Sequence, residues 1–224
     1  MFRLARFGYA FAVALLLSHA APQDAWAQAA DQQVLVEKAA SSFRVVSQEK
    51  SAEPYFKRAK ALLIVPSYVK AGFILGGEGG SGVLVVRKQG SWSDPAFYTV
   101  AGGSIGLQIG VEAKEIVFAI MTDKGVNAVM SNQVKVGADV SISVGTVGAG
   151  VEASTVGSPA VDIYAFSRSA GLFGGGALEG TLIAPRNEWN DKYYAQPASP
   201  RQIVLEGQVR SAGARILHDA LAGF

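Results

Sequence analysis

Cysteine is absent from the 224 residues, and histidine occurs only at positions 19 and 218. The first absence excludes disulfides, a lipidated N-terminal cysteine and thiolate metal sites. The second leaves little for an imidazole-based catalytic or metal centre. Charge is sparse at 17% of residues and nearly balanced, with a formal net charge of +2. Nucleic-acid-binding domains carry a strongly basic patch or a known module, and neither is found here. Long hydrophobic runs are missing too. The longest uninterrupted apolar stretch, residues 7–17, falls well short of the roughly 20 residues of a membrane-spanning helix.

Glycine is what the chain has in excess, 26 residues, beside 50% apolar side chains. No G-X-Y period accompanies it, so the glycines read as tight turns and strand kinks within one well-buried domain. Arg3 and Arg6 precede the short apolar stretch, and Ala25-Trp26-Ala27 follows it. Together they predict a secretory signal over residues 1–27 and a single domain over 28–224. The mature chain is expected outside the cytoplasm, in a periplasm or peripheral to an envelope membrane. Removing Arg3, Arg6 and Asp24 with the signal leaves the charge near neutral.

Helical spacing of Leu35, Ala39, Phe43 and Val46 predicts a helix over 31–50. Lys38 and Arg44 are matched by Glu37 and Glu49, so its stripe suits packing on the domain better than a basic membrane-surface helix. Glu53-Pro54 opens a second, short helix carrying Lys57, Arg58 and Lys60, the densest cationic cluster of the mature chain. Such a cluster is either an anion-binding face or a solvated surface.

Strand signals follow. Val134 to Val144 alternate strictly with small and polar residues, which predicts a strand with one buried face, and 147–153 continue the alternation as an antiparallel partner. Further strands are expected at 82–87, 96–100, 104–111, 115–121, 161–167 and 177–183. Thr122 or Asp123 is placed to cap a helix reaching about Ser131. Residues 186–200 read as a connector with a short helix at most. Val209, Ala212, Ile216 and Ala220 mark a C-terminal helix, flanked by Leu217 and Leu221. The fold class is therefore α+β: a curved or barrel-like antiparallel β-sheet with an N-terminal helical pair and a C-terminal helix packed on it.

Two catalytic motifs fail on context. Gly77, Gly79 and Gly82 fit G-x-G-x-x-G, but Val83 to Val86 continue as strand where a phosphate-binding helix is needed. Gly102-Gly103-Ser104-Ile105-Gly106 fits G-x-S-x-G, again flanked by strands, with His218 the sole base and Asp162 a conceivable orienter. Glu78, Asp94, Asp123, Asp139, Asp162 and Glu179 are scattered without metal-ligand spacing. No catalytic residue, metal or cofactor is assigned.

The order of motifs resembles the SYLF-domain family of lipid-binding proteins. The resemblance is carried by Lys70-Ala71-Gly72-Phe73, Gly76-Gly77, Trp92-Ser93-Asp94-Pro95-Ala96-Phe97 and Gly103-Ser104-Ile105-Gly106-Leu107-Gln108-Ile109-Gly110. Met121-Thr122-Asp123, Gly137-Ala138-Asp139, Ser167-Arg168-Ser169, Gly171-Leu172-Phe173, Leu178-Glu179-Gly180 and Tyr193-Tyr194 continue it. Ala170 stands where relatives often carry a lysine, and Thr146 where proline is common. The resemblance implies a non-enzymatic module for anionic phospholipid or phosphoinositide-type headgroups, with actin binding in some eukaryotic relatives. It makes the helix over 31–50 a lipid-facing candidate, together with Lys57, Arg58, Lys60, Lys70 and Arg168 for the headgroups. Phe43 and Phe73, with Tyr55, Phe56 and Phe173, are large enough to insert into a bilayer or to fill a core. The expected partner is anionic membrane lipid. The alternative is an assembly protein that pairs with itself or with an envelope protein.

Overall fold

The computed structural model describes residues 29–146, 161–168, 178 and 180–224, leaving aside the side chains of 70–76, 104–112, 144–146 and 168. The signal at 1–27 and the strand at 147–153 lie outside these residues. Helices α1 (Ala30–Val46) and α2 (Glu53–Arg58) come first, then strands β1 (Ala61–Lys88), β2 (Ser91–Trp92) and β3 (Ala96–Ile120). Helix α3 (Asp123–Val129) leads to β4 (Val134–Lys135), β5 (Ile142–Thr146), β6 (Ile163–Arg168) and β7 (Leu182–Pro185). The described chain closes with α4 (Asn187–Tyr194), a π-helical turn (Gln202–Glu206), a 3-10 turn (Ala212–Ala214) and α5 (Arg215–Leu221).

The organising element is one long antiparallel hairpin of β1 and β3, running from Ala61 opposite Ile120 to Leu84 opposite Ala96. Register shifts between Val65 and Tyr68 and between Gly72 and Ile74 bend it. The hairpin doubles back so far that the two halves of β1 touch. A Cβ on Gly80 would lie 2.3 Å from the Ser67 carbonyl oxygen, and one on Gly82 would lie 2.8 Å from that of Ile64. Glycine is required at both positions because backbone packs on backbone there. The Arg87 N–H donates to the Lys60 carbonyl at 2.8 Å, which fastens the end of β1 to its beginning.

β6 extends the second half of β3, and β7 pairs its first half at 98–101, with β4 beyond it. The resulting curled half-barrel bears out the expected α+β architecture. One pairing departs from it: β5 runs parallel to β6, so the sheet is mixed. The strand expected over 134–144 is also broken. Gly137 takes φ +87° and the Asp139 carboxylate accepts the Lys135 N–H at 2.6 Å, so a tight turn separates β4 from β5.

The core lies between the sheet and the helices. Phe43 and Val36 of α1, Phe56 of α2 and Leu217 and Leu221 of α5 are closed to solvent. Each fully buried large apolar side chain contributes about 1.5–3 kcal/mol. Phe43 meets Phe224 edge-on at 5.2 Å and Phe56 at 5.3 Å, while Tyr55 packs on Tyr164 at 4.5 Å. Arg87 closes this end. Its guanidinium donates to the carbonyls of Phe56, Ala59 and Phe224 at 2.8, 2.9 and 2.7 Å, satisfying acceptors left over at the end of α2. No helix among the described residues is long and apolar enough to cross a membrane.

Candidate functional site

Proline at the first turn and Glu53 beside it start α2, and its apolar face, Tyr55 and Phe56, is buried. That burial turns Lys57 and Arg58 outward, and Lys60 is exposed just past the helix end. The cluster seen in the sequence is thus a real surface ledge, yet two of its three cations are answered. Lys57 Nζ lies 2.6 Å from Glu53 Oε1, one helical turn back, and Lys60 Nζ lies 2.5 Å from Asp123 Oδ2 on α3. Both pairs are largely solvent-exposed. Arg58 makes no ion pair with a described residue.

A buried carboxylate holds the support of this ledge together. Asp162, at the start of β6, accepts from the Thr122 hydroxyl at 2.6 Å, from Ser141 through both N–H and hydroxyl, and from Lys124 Nζ at 3.1 Å. Thr122 in turn caps α3 by accepting the Gly125 N–H. Burial pushes the Asp162 carboxyl up, but these hydrogen bonds outweigh it and hold it down at about 2. Asp162 is therefore a strut, and the orienting role conceivable for it beside a catalytic base is filled by other partners.

His218 is likewise engaged elsewhere. Its Nε2 donates to the Ser93 carbonyl at 3.1 Å and lies 3.4 Å from Asp94 Oδ1, docking α5 on the β2–β3 connection. Gly102 to Gly106 runs inside β3, and Gly77 to Gly82 inside β1, so both glycine motifs have strand on either side. Among the described residues no group of three or more His, Cys, Asp or Glu is placed to hold a metal. Tyr68 and Thr181 converge on Gly102: a Cβ there would lie 3.2 Å from Tyr68 Oη, Thr181 Oγ1 and Glu78 Oε1 alike. Burial, with the Glu78 carboxylate nearby, pushes the Tyr68 hydroxyl well above its ordinary range.

Of the aromatic candidates for membrane insertion, Phe43 is corrected. Its ring is fully buried between α2 and the C-terminal residues, and so are Tyr55 and Phe56. Phe43 was ambiguous in the sequence because a core stripe and an insertion stripe have the same helical period. Lys70 and Phe73 lie on β1, where Lys70 is opposite Glu112, and Arg168 lies on β6 opposite Glu115. Their side chains, and all of Phe173, are outside the described residues. The structure also shows two cations that the sequence gave no reason to combine: Lys88 at the end of β1 and Arg210 after the π-helical turn line one groove.

A family model, Ysc84, described as "Las17-binding protein actin regulator", matches residues 101–224. The chain belongs to the Ysc84 (SYLF-domain) family. Yeast (Saccharomyces cerevisiae) Protein YSC84 is 39% identical over 164 residues, covering 70% of this chain and 34% of the relative. The LAS seventeen-binding protein 3 of the same species is 37% identical over 158 residues, with 69% and 34% covered. The human SH3 domain-containing YSC84-like protein 1 is 32% identical over 169 residues, with 75% and 49% covered. This SYLF-family chain therefore matches a third to a half of the length of these relatives. One of these names, LAS seventeen-binding protein 3, marks a binding protein.

Proposed function

We propose that this chain is a non-enzymatic binding module for anionic phospholipid, including phosphoinositide-type headgroups, exported and peripheral to the periplasmic side of an envelope membrane. The reading is carried by the ledge at the end of α2, where exposed Arg58 lacks an ion-pair partner among the described residues and stands between Lys57 and Lys60. The carboxylates that answer Lys57 and Lys60 are themselves exposed. Exposed pairs of this kind are weak, so a bilayer phosphate competes with them at little cost. Each cation brought near an anionic surface contributes about 1 kcal/mol, which makes the association modest and salt-sensitive. Membership of the SYLF-domain family supports the class, and the signal expected over residues 1–27 from the sequence supports the location.

Co-sedimentation of the purified protein with phosphatidylglycerol and phosphatidylcholine vesicles tests this, beside a Lys57→Ala/Arg58→Ala/Lys60→Ala variant. Binding confined to the anionic vesicles and reduced in the variant is the expected result. Equal binding to both vesicle types contradicts it.

The second reading, binding to a protein partner or to itself, is favoured by the relatives' names, which include LAS seventeen-binding protein. Light scattering across a concentration series in lipid-free buffer separates the two. A size that grows with concentration supports assembly, and a constant monomer supports the lipid module.

A further inference from the structure

Two hollows on the helical side of the fold meet at one residue. The first, about 620 Å3, lies between the end of β1 and the π-helical turn, with Arg87, Lys88, Trp92, Asp94 and Arg210 in its walls. The second, about 500 Å3, lies between the start of α1 and the end of α4, where Ala30, Val34, Tyr193, Tyr194 and Ala212 form an apolar trough. Arg210 lines both.

The charges in the first groove are not equally free. The Arg87 guanidinium is spent on three carbonyls and lies 4.2 Å over the Trp92 ring. Asp94 is nearly inaccessible and accepts the Ser211 N–H at 2.7 Å, with His218 on its other oxygen. Lys88 and exposed Arg210, by contrast, make no ion pair with a described residue. Their charged ends flank Gly207, where a Cβ would come 3.5 Å from Lys88 Nζ and 3.7 Å from Arg210 Nη2. Gly207 sits at φ +65°, a conformation that also favours the absence of a side chain. The Trp92 indole N–H in the same wall is buried without an acceptor among the described residues. The two free cations thus line a space with one carboxylate in its described walls, already engaged, which is the chemistry of a phosphate oxyanion.

The second hollow offers the complement. Val34 is 46% exposed, the one large apolar side chain so exposed among the described residues. The Tyr194 hydroxyl donates to the Pro95 carbonyl at 2.7 Å and that of Tyr193 to Gln33 Oε1 at 3.3 Å, so both hydroxyls are occupied. A cationic groove and an apolar trough that share Arg210 in their walls match a molecule with a charged head and a hydrocarbon tail.

We propose that a single anionic phospholipid binds here, its phosphate between Lys88 and Arg210, its acyl chain along the Val34 trough, and Arg210 at the junction. This rests on the lipid-binding reading, but it places one lipid molecule in the fold instead of a bilayer against the ledge.

Calorimetric titration of the purified protein with dihexanoyl phosphatidylglycerol below its micelle concentration is the test. Inorganic phosphate and dihexanoyl phosphatidylcholine are run in parallel. Saturable binding near one to one is expected for phosphatidylglycerol, with phosphate and phosphatidylcholine each weaker by about tenfold or more. Lys88→Ala and Arg210→Ala should each weaken the phosphatidylglycerol complex by about tenfold. Val34→Asp should weaken it while leaving phosphate binding unchanged. Circular dichroism melts show that each variant is folded. Lack of saturable binding, or a complex indifferent to Lys88→Ala and Arg210→Ala, overturns the proposal. Phosphate binding as strong as phosphatidylglycerol binding also overturns it, in favour of a free-anion site. If the protein still sediments with anionic vesicles while the titration is silent, the groove is refuted and the membrane ledge stands. The opposite pattern upholds the groove and removes the ledge.

Discussion

The ledge around Arg58 and the groove around Arg210 are two cationic regions of the described surface, and they are built in opposite ways. On the ledge, Lys57, Arg58 and Lys60 are neighbours in sequence, and the fold answers two of them with Glu53 and Asp123. In the groove, Lys88 and Arg210 are far apart in sequence, are brought together beside Gly207, and are left without ion-pair partners among the described residues. Density of charge along a chain and availability of charge on its surface are therefore different quantities. The second depends on which carboxylates the fold delivers to the same place.

Both regions hang from one strand. Lys60 precedes β1 and Lys88 ends it, and the doubled hairpin joins these ends through the Arg87–Lys60 backbone hydrogen bond. The largest expected effect removes that shared support. Gly80→Ala drives a Cβ into the Ser67 carbonyl and should cost about 3 kcal/mol or more, or prevent folding, in chemical denaturation. A variant of near wild-type stability would mean that the halves of the hairpin are not in contact.

Asp162→Asn comes next, and it should separate the regions. It loosens α3, which carries Asp123, without touching the groove, and should cost about 1.5–3 kcal/mol. The folded carboxyl titrates at about 2, below its ordinary value of 3.8. Its contribution is therefore fully present above the ordinary value and is lost as pH falls toward 2. Denaturation curves between pH 5 and 2 should show this loss in the native protein and a shallower one in Asp162→Asn. Parallel curves would contradict the assignment of Asp162 as a strut.

A smaller effect sharpens the contrast in charge availability. Asp123→Asn removes an exposed negative charge beside Lys60 that an anionic surface repels, and should strengthen binding to anionic vesicles by about fivefold, the equivalent of roughly 1 kcal/mol. Titration of short-chain phosphatidylglycerol should be unaffected. The smallest effect is that of Lys57→Ala on thermal stability, where no resolvable change is expected because the pair with Glu53 is exposed.

Much of the secondary structure was legible because local signals carried it. Thr122 caps α3 as its side chain suggests, the stripe of Leu35, Ala39, Phe43 and Val46 faces the core, and the strand expected at 161–167 falls on β6. The long hairpin was not legible. Its glycines read as turns and kinks, dividing β1 and β3 into short pieces, whereas Gly80 and Gly82 are there so that backbone can pack on backbone. At 134–144 the alternation is real, but Gly137 and Asp139 supply a turn that outweighs it. The ledge was visible as a run of basic residues, while its neutralisation depends on Asp123, which only the tertiary fold brings to Lys60. Lys88 and Arg210 carry no sequence signal at all, since each is an isolated cation until the fold brings both beside Gly207 at the end of the π-helical turn.

Flotation of the purified protein with phosphatidylglycerol and phosphatidylcholine vesicles over a salt series tests the central claim most directly. The account predicts co-flotation with the anionic vesicles at low salt, decline as salt screens the ledge, and none with the neutral vesicles. Failure to float with anionic vesicles at any salt concentration would contradict it and leave protein assembly as the role of this fold.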